Sequence, residues 1–258
     1  MRSILPMTGL SVATLVGILM GLTVAAWMVM LASQSGRDSN HLLLAWCAMT
    51  VGMMAPSAVP MITTYARLAP QLDRGLSVGL AVSIFTSAYL LLWLLFAVAA
   101  TGAQAWMQRL ILIDDRMAFA SPRLGALFLI AAGIYQVTPL KQVCISKCRS
   151  PLGFLMGAHR TGYRGAFAIG LLHGAFCIGC CWLLMCLVWV GGMMNLVWMG
   201  VLSLLVIIEK LAPGAEPFTK WAGMALVALG TVLLVTPRSD ALMLDILSSF
   251  CRSPVSQN

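Results

Sequence analysis

One apolar segment of the chain carries four good ligands for soft metal ions at helical spacing. They are His173, Cys177, Cys180 and Cys181. Reactive side chains within a membrane helix are functional-site candidates by default. At about 100° per residue, the four side chains fall within an arc of about 100° on one face of a helix. The segment therefore predicts a metal-binding stripe.

The chemistry of this stripe favours copper. Thiolate and thioether ligands select soft ions, so Cu(I) fits best and Zn(II) second. From His173 to Cys181 a helix rises about 12 Å, whereas bonds to the metal are about 2.0–2.3 Å long. One ion therefore cannot take all four ligands. Either a local pair such as His173 with Cys177 binds an ion, or the stripe is a ladder of weak sites suited to passage.

Two other blocks offer further soft ligands. In the apolar segment 42–65 they are Met53, Met54 and Met61, beside Pro56 and Pro60. The prolines predict a helix that is kinked or broken in mid-membrane. The alternative is that these methionines only fill irregular gaps beside the kinks.

The third block contains Cys144 and Cys148 in a polar segment, 141–164. Two cysteines four apart can chelate from one helical turn or form a redox pair. Flanking Lys147 and Arg149 favour the thiolate form. If the segment is cytoplasmic, a standing disulfide is disfavoured, and a metal relay is the better interpretation.

Composition indicates an integral membrane protein. Of 258 residues, 60% are hydrophobic and 9% charged, and the mean hydropathy is +0.94, whereas soluble domains carry about 25% charged residues. The net charge of +8 fits loops that face an anionic leaflet. No basic stripe interleaved with aromatic residues exists, so nucleic acid is excluded as a partner and the lipid bilayer is the expected one.

The predicted fold is all-α, a polytopic membrane helix bundle of about seven transmembrane helices. The spans are 8–31, 42–65, 76–100, 124–140, 166–190, 193–211 and 221–235, with an interfacial helix at 104–116. We expect one integral membrane domain over 1–258, with the metal-binding core at about 46–211. Ten loop Lys and Arg residues on the N-terminal side against six opposite predict a cytoplasmic N-terminus in a bacterial inner membrane.

Smaller features add to this interpretation. Glu209 and Lys210 end the sixth predicted helix, either as a gating ion pair or snorkelling to the interface. Gly170 and Gly174 predict close helix packing around His173. Phosphate-binding, dinucleotide-binding and nucleophile-elbow motifs are absent, so a non-enzymatic role is favoured.

Three blocks of the sequence resemble a bacterial family of uncharacterised integral membrane proteins. They are Met-Met-Ala-Pro-Ser-Ala-Val-Pro-Met (53–61), Gly-Ile-Tyr-Gln-Val-Thr-Pro-Leu-Lys (133–141) running into Cys144 and Cys148, and the Cys-rich block 173–185, through Met193 to Glu209. The resemblance covers about 46–211. It implies a metal-binding membrane protein, with copper most often suggested.

The leading hypothesis is a copper-handling protein of the inner membrane that serves delivery to, or assembly of, a cuproprotein. A metallochaperone or a cuproprotein is the expected protein partner. One alternative is a thiol redox membrane protein that uses Cys144 and Cys148. A second alternative is a structural or assembly subunit of a membrane complex, in which the cysteines only pack.

Overall fold

The computed structural model describes residues 12–32, 39–72, 77–114, 117–158, 160–193, 195–212 and 214–236. These residues are almost entirely helical, which confirms the all-α prediction. The helices are α1 (Val12–Ala32), α2 (Ser39–Leu72), α3 (Val78–Arg109), α4 (Pro122–Gln136), α5 (Pro139–Arg149), α6 (Pro151–Gly157), α7 (Gly162–Cys186), α8 (Val188–Gly191), α9 (Leu196–Leu211) and α10 (Glu216–Val235). Within the described ranges, β pairing is limited to an isolated bridge between Ile113 and Phe119.

Five segments are long and apolar enough to cross a membrane. They are Val12–Ala32, Asn40–Pro70, Val78–Arg109, Gly162–Gly191 and Glu216–Val235. The bent pair α4 and α5 makes a sixth if it counts as one span. The remaining predicted span, the sixth at 193–211, corresponds to α9, whose 16 residues fall short of the roughly 20 that a span requires. Seven spans therefore stay a prediction.

The fold divides into two compact units, described separately below. The first unit comprises the described residues within Met1–Thr101 and Ser146–Ile178, and the second those within Gly102–Ile145 and Gly179–Asn258. In the first unit α2 packs on α1 and α6, and in the second α4 packs on α10 and α8. The single domain expected from the sequence stays a prediction.

Helix α2 passes through its prolines without a break. Pro56, Pro60 and Pro70 all lie inside one helix of 34 residues, so of the two predicted outcomes the break is wrong, and a kink stays a prediction. Each proline removes one backbone hydrogen bond, but in a membrane span packing neighbours and local hydroxyls support the interrupted backbone. Within α2, Ser57 Oγ donates to the Met54 carbonyl at 2.9 Å and Thr64 Oγ1 to the Pro60 carbonyl at 2.7 Å.

The break in the backbone occurs instead between α4 and α5, whose axes differ by 64°. Pro139 begins α5 and disfavours helical geometry at the preceding Thr138. The Thr138 hydroxyl then donates to the Tyr135 carbonyl at 2.8 Å, and the Gln142 amide to the Gln136 carbonyl at 3.2 Å. These bonds cap the end of α4. The segment 141–164, expected as a polar connection, largely forms α5 and α6.

Helix α3 extends further than the sequence pattern suggested. It continues to Arg109, so the separate interfacial helix expected at 104–116 is wrong over its first half, and Asp115 and Arg116 lie outside the described residues. Gln104 is fully buried and accepts a hydrogen bond from Trp189 Nε1 at 3.1 Å. The buried Gln104 amide has the hydrogen-bond partner that a buried polar group requires, so this part of α3 lies in the interior. The periodicity of Trp106, Leu110 and Ile111 had instead suggested a helix at the membrane interface.

Candidate metal-binding site

In the first unit, Tyr89 of α3 joins residues from two of the predicted blocks. Its hydroxyl donates to the Met54 carbonyl oxygen at 3.2 Å, and the Cys177 Sγ lies 3.2 Å from the same hydroxyl. The Tyr89 ring stacks on the His173 ring with centroids 5.1 Å apart. Met54, Tyr89, His173 and Cys177 therefore form one group, which we call the first donor cluster.

Aromatic side chains enclose this cluster. The His173 ring lies against Phe85, with centroids 6.1 Å apart, and against Phe154, at 5.8 Å. His173 is 3% exposed and Cys177 1%. Such surroundings exclude water and leave the imidazole and thiol in a low-dielectric site, so an ion bound there would exchange its hydration shell for protein donors.

Two glycines of α7 permit this close packing. A methyl group at Gly170 would overlap the Phe85 carbonyl oxygen, and one at Gly174 would lie 2.9 Å from Leu92 Cδ1. The close packing that the sequence predicted around His173 is confirmed, and α3 is the partner helix. The absence of side chains at these positions brings Tyr89 within reach of Cys177.

The three candidate methionines all lie in the interior. Met53 and Met54 are fully buried and Met61 is 1% exposed. Met54 joins the first donor cluster through its carbonyl oxygen. Burial is equally expected of methionines that only fill gaps beside prolines, so ligand roles for Met53, Met54 and Met61 stay predictions.

The second unit contains a separate group of thiols, which we call the second donor cluster. It consists of Cys144 of α5 with Cys180 and Cys181 of α7. The Cys180 and Cys181 sulfurs lie 3.2 Å apart, and both side chains are 1% exposed. All three thiols lie within electrostatic range of the Tyr135 phenol, whose hydroxyl donates to the Gly179 carbonyl.

Gly179 lets α5 approach this cluster. A methyl group built at Gly179 would lie 2.8 Å from the Cys144 Sγ, well inside van der Waals contact. Cys148, one turn later on α5, is half-buried and belongs to the first unit. The seven described cysteines form no disulfide, and Cys251 lies outside the described residues.

The described side chains offer pairs of ligands rather than larger sets. Among them, no three His, Cys, Asp or Glu residues lie close enough together to hold one ion. Pairs are nevertheless meaningful for copper, since Cu(I) forms stable complexes with two soft ligands. With metal–sulfur bonds of about 2.3 Å, the Cys180 and Cys181 sulfurs, now 3.2 Å apart, would have to move apart to bind one ion between them in a linear arrangement.

A buried ion pair supports the second donor cluster. Lys141 Nζ lies 2.7 Å from a carboxylate oxygen of Glu209, and the two side chains are 0% and 1% exposed. Gln136 closes the ring: its amide nitrogen donates to Glu209 at 2.6 Å, and its oxygen accepts from Lys141. Because Lys141 lies one turn before Cys144 on α5, this polar ring anchors the helix that carries the thiol.

This ring corrects two interpretations of the sequence. Glu209 does not snorkel to an interface, and its ion-pair partner is Lys141 rather than the adjacent Lys210. Lys210 is also buried, at 6% exposure. Neither lysine therefore counts among the loop charges used to orient the chain.

Sequence reasoning missed Tyr89 and the pairing of Gln136 and Lys141 with Glu209. Tyr89 lies in an apolar segment where aromatic residues are ordinary, so its type and spacing carry no signal. Lys141 did carry a signal, because it directly follows the apolar segment 124–140. A lysine at membrane depth needs a partner for its charge, so the sequence could have prompted a search for an acidic residue.

The glycine at 179 gives a test of the second donor cluster. We expect Gly179→Ala to fold, because the atom it meets is the movable end of a side chain, but to displace the Cys144 thiol. Cu(I) affinity at this cluster should fall by about tenfold, as when a supporting residue of a metal site is changed. Competition with a chromophoric Cu(I) chelator measures this.

The matched control for that variant is Gly200→Ala on α9, where an added methyl meets nothing within 4 Å. It should leave copper affinity unchanged and slightly favour the helix. Equal affinities for the two variants would show that Cys144 takes no part in binding.

Comparison with known proteins associates this chain with a copper-related family. The model of a family described as PpoB2, copper chaperone, matches residues 43–233. No curated protein and no solved structure matches the chain. Because the family model covers most of the sequence, including the helices that carry both donor clusters, the chain belongs to the PpoB2 copper chaperone family.

Proposed function

We propose that this protein is a membrane-embedded copper chaperone that binds Cu(I) through buried thiol, imidazole and thioether ligands and delivers it to a cuproprotein. The family supports the copper role, and five segments apolar enough to span a bilayer support the membrane location. We place the protein in a bacterial inner membrane with a cytoplasmic N-terminus, on the basis of loop Lys and Arg residues.

The observation that carries the proposal is the first donor cluster. Tyr89 brings Cys177, His173 and the backbone of Met54 together, although they come from α2 and α7. Cys177 with His173 makes a soft pair of ligands for Cu(I). On binding, the thiol loses its proton, and the Tyr89 hydroxyl can then turn its one proton from the Met54 carbonyl to the thiolate sulfur and stabilise its charge.

The second donor cluster supplies a separate pair of ligands. Cys180 and Cys181 present two adjacent thiols, and the Cys144 sulfur lies against Gly179, the residue before them. Copper binding by two thiolates leaves a net negative charge, which is costly in an apolar interior. The Tyr135 phenol and the indole of Trp182, whose ring meets it edge-on at 5.9 Å, provide a polarisable environment.

Metal content of purified protein tests this function. Under reducing, copper-replete conditions, wild-type protein should carry copper in preference to zinc. Cys177→Ser and Cys180→Ser should each weaken Cu(I) binding by about 10- to 100-fold, at least the loss found when a supporting residue is removed. Elemental analysis and chelator competition measure both quantities.

The matched control is Cys186→Ser, which changes another buried cysteine of the same helix outside both clusters. It should retain wild-type copper. Wild-type protein that carries no copper would refute the proposal. Redox-dependent protection of Cys144 and Cys148 from alkylation, without bound metal, would favour the thiol redox alternative instead.

A further inference from the structure

A cavity of about 740 Å³ lies in the first unit, and none of the candidate metal ligands lines it. It is open on one side, and α6 and α7 form most of its wall. Its lining is apolar except for Lys147 and Arg160, both exposed. Among the lining side chains that the structure describes, none is acidic.

The charge around this cavity has one sign. From Lys147 to Arg164 the sequence has four Lys and Arg residues and no Asp or Glu. An anionic ligand would therefore meet attraction without a compensating repulsion from the same segment. Two cations on one rim can share a phosphate between them.

The rest of the cavity suits hydrocarbon. Leu172 and Phe176 of α7 and Leu92 of α3 line it, and both helices belong to segments apolar enough to span a bilayer. On the α6 wall, Gly153 and Gly157 contribute no side chain and Phe154 contributes an aromatic ring. Beside the cavity, the Leu152 and Met156 side chains of α6 are 58% and 64% exposed. Exposed apolar side chains of this kind are typical of a short helix at a membrane interface.

We propose that this cavity binds an anionic phospholipid of the surrounding bilayer, with the phosphate between Lys147 and Arg160 and an acyl chain along Leu172 and Phe176. The combination of two basic side chains with an otherwise apolar lining fits an amphiphile. Basic pockets between membrane helices are known to bind anionic headgroups. A free anion would use the rim alone.

Native mass spectrometry of the detergent-solubilised full chain tests this with three probes. Phosphatidylglycerol should remain bound, whereas phosphatidylcholine with the same chains and glycerol phosphate without chains should not. Lys147→Ala combined with Arg160→Ala should weaken phosphatidylglycerol binding by about 10- to 30-fold. Arg164→Ala, which removes a basic residue outside the lining, should leave it unchanged.

A second variant tests the apolar part. At Gly157 an added Cβ meets nothing within 4 Å, so Gly157→Leu should fold, place its side chain in part of the cavity and reduce phosphatidylglycerol binding with both cations intact. Equal retention of phosphatidylcholine would reveal ordinary surrounding lipid and overturn the proposal. Glycerol phosphate binding as tightly as the lipid would also overturn it, in favour of a small-anion site. No measurement here involves copper, so the outcome is independent of the chaperone proposal.

Discussion

Lys141→Met should lower the free energy of unfolding by about 3–5 kcal/mol, the range found when one partner of a buried ion pair is removed. The variant leaves the Glu209 carboxylate buried without its counter-charge, and Lys141 and Glu209 are both at most 1% exposed. Titration with a denaturing detergent, followed by circular dichroism, measures the change.

A double variant separates charge from packing. Lys141→Met combined with Glu209→Gln removes both charges and leaves the Gln136 amide a neutral partner at position 209. Since replacement of a whole buried ion pair by uncharged groups is often close to neutral, most of the lost stability should return. As a control, Lys147→Met replaces an exposed lysine on the same helix and should change the free energy of unfolding by no more than about 0.5 kcal/mol.

Two results would contradict this reasoning. If the single variant were as stable as wild type, the ring of Gln136, Lys141 and Glu209 would contribute nothing to the fold. If the double variant were as unstable as the single one, the loss would come from the lysine's packing rather than from an uncompensated charge.

The ring also has a consequence for copper. It crosses the 64° bend between α4 and α5 and anchors α5 one turn before Cys144. Lys141→Met should therefore weaken Cu(I) binding at the second donor cluster even in molecules that remain folded, because the position of Cys144 beside Gly179 depends on α5.

Part of the candidate site followed from the sequence. The spacing of His173 and Cys177 placed them on one helix face, and the pairing of Gly170 with Gly174 indicated a close neighbour. Both features depend on a helix's own periodicity, which a single segment displays. Tyr89 links Met54 to Cys177 only because their helices are neighbours in the fold. The periodicity of a single segment carries no information about which helices become neighbours.

The misplaced elements have similar physical causes. Pro56 and Pro60 indicated a break in α2, but packing on α1 and α6 and the hydroxyl bonds of Ser57 and Thr64 accompany a continuous helix. Lys141 was assigned to a polar connection because of its charge. Its partner Glu209 is 68 positions away in the chain, beyond any local pattern.

Gly170→Ala should destabilise the first unit. The added methyl would overlap the Phe85 carbonyl oxygen and lie 2.9 Å from the Ala88 Cβ. Neither atom is the end of a flexible side chain, so α3 and α7 must move apart. We expect a loss of about 1–3 kcal/mol, typical of overpacking, together with weaker Cu(I) binding at the first donor cluster.

The expected change in the free energy of unfolding has the opposite sign to that of an ordinary Gly-to-Ala substitution in a helix. At an ordinary helical position, replacing Gly by Ala favours the helix by up to about 1 kcal/mol. Gly79→Ala on α3, where an added methyl meets nothing within 4 Å, should accordingly be neutral or slightly stabilising and keep wild-type copper affinity. If Gly170→Ala behaved like Gly79→Ala in unfolding and in copper competition, the close approach of α3 to α7 would not be what holds Tyr89 against Cys177 and His173.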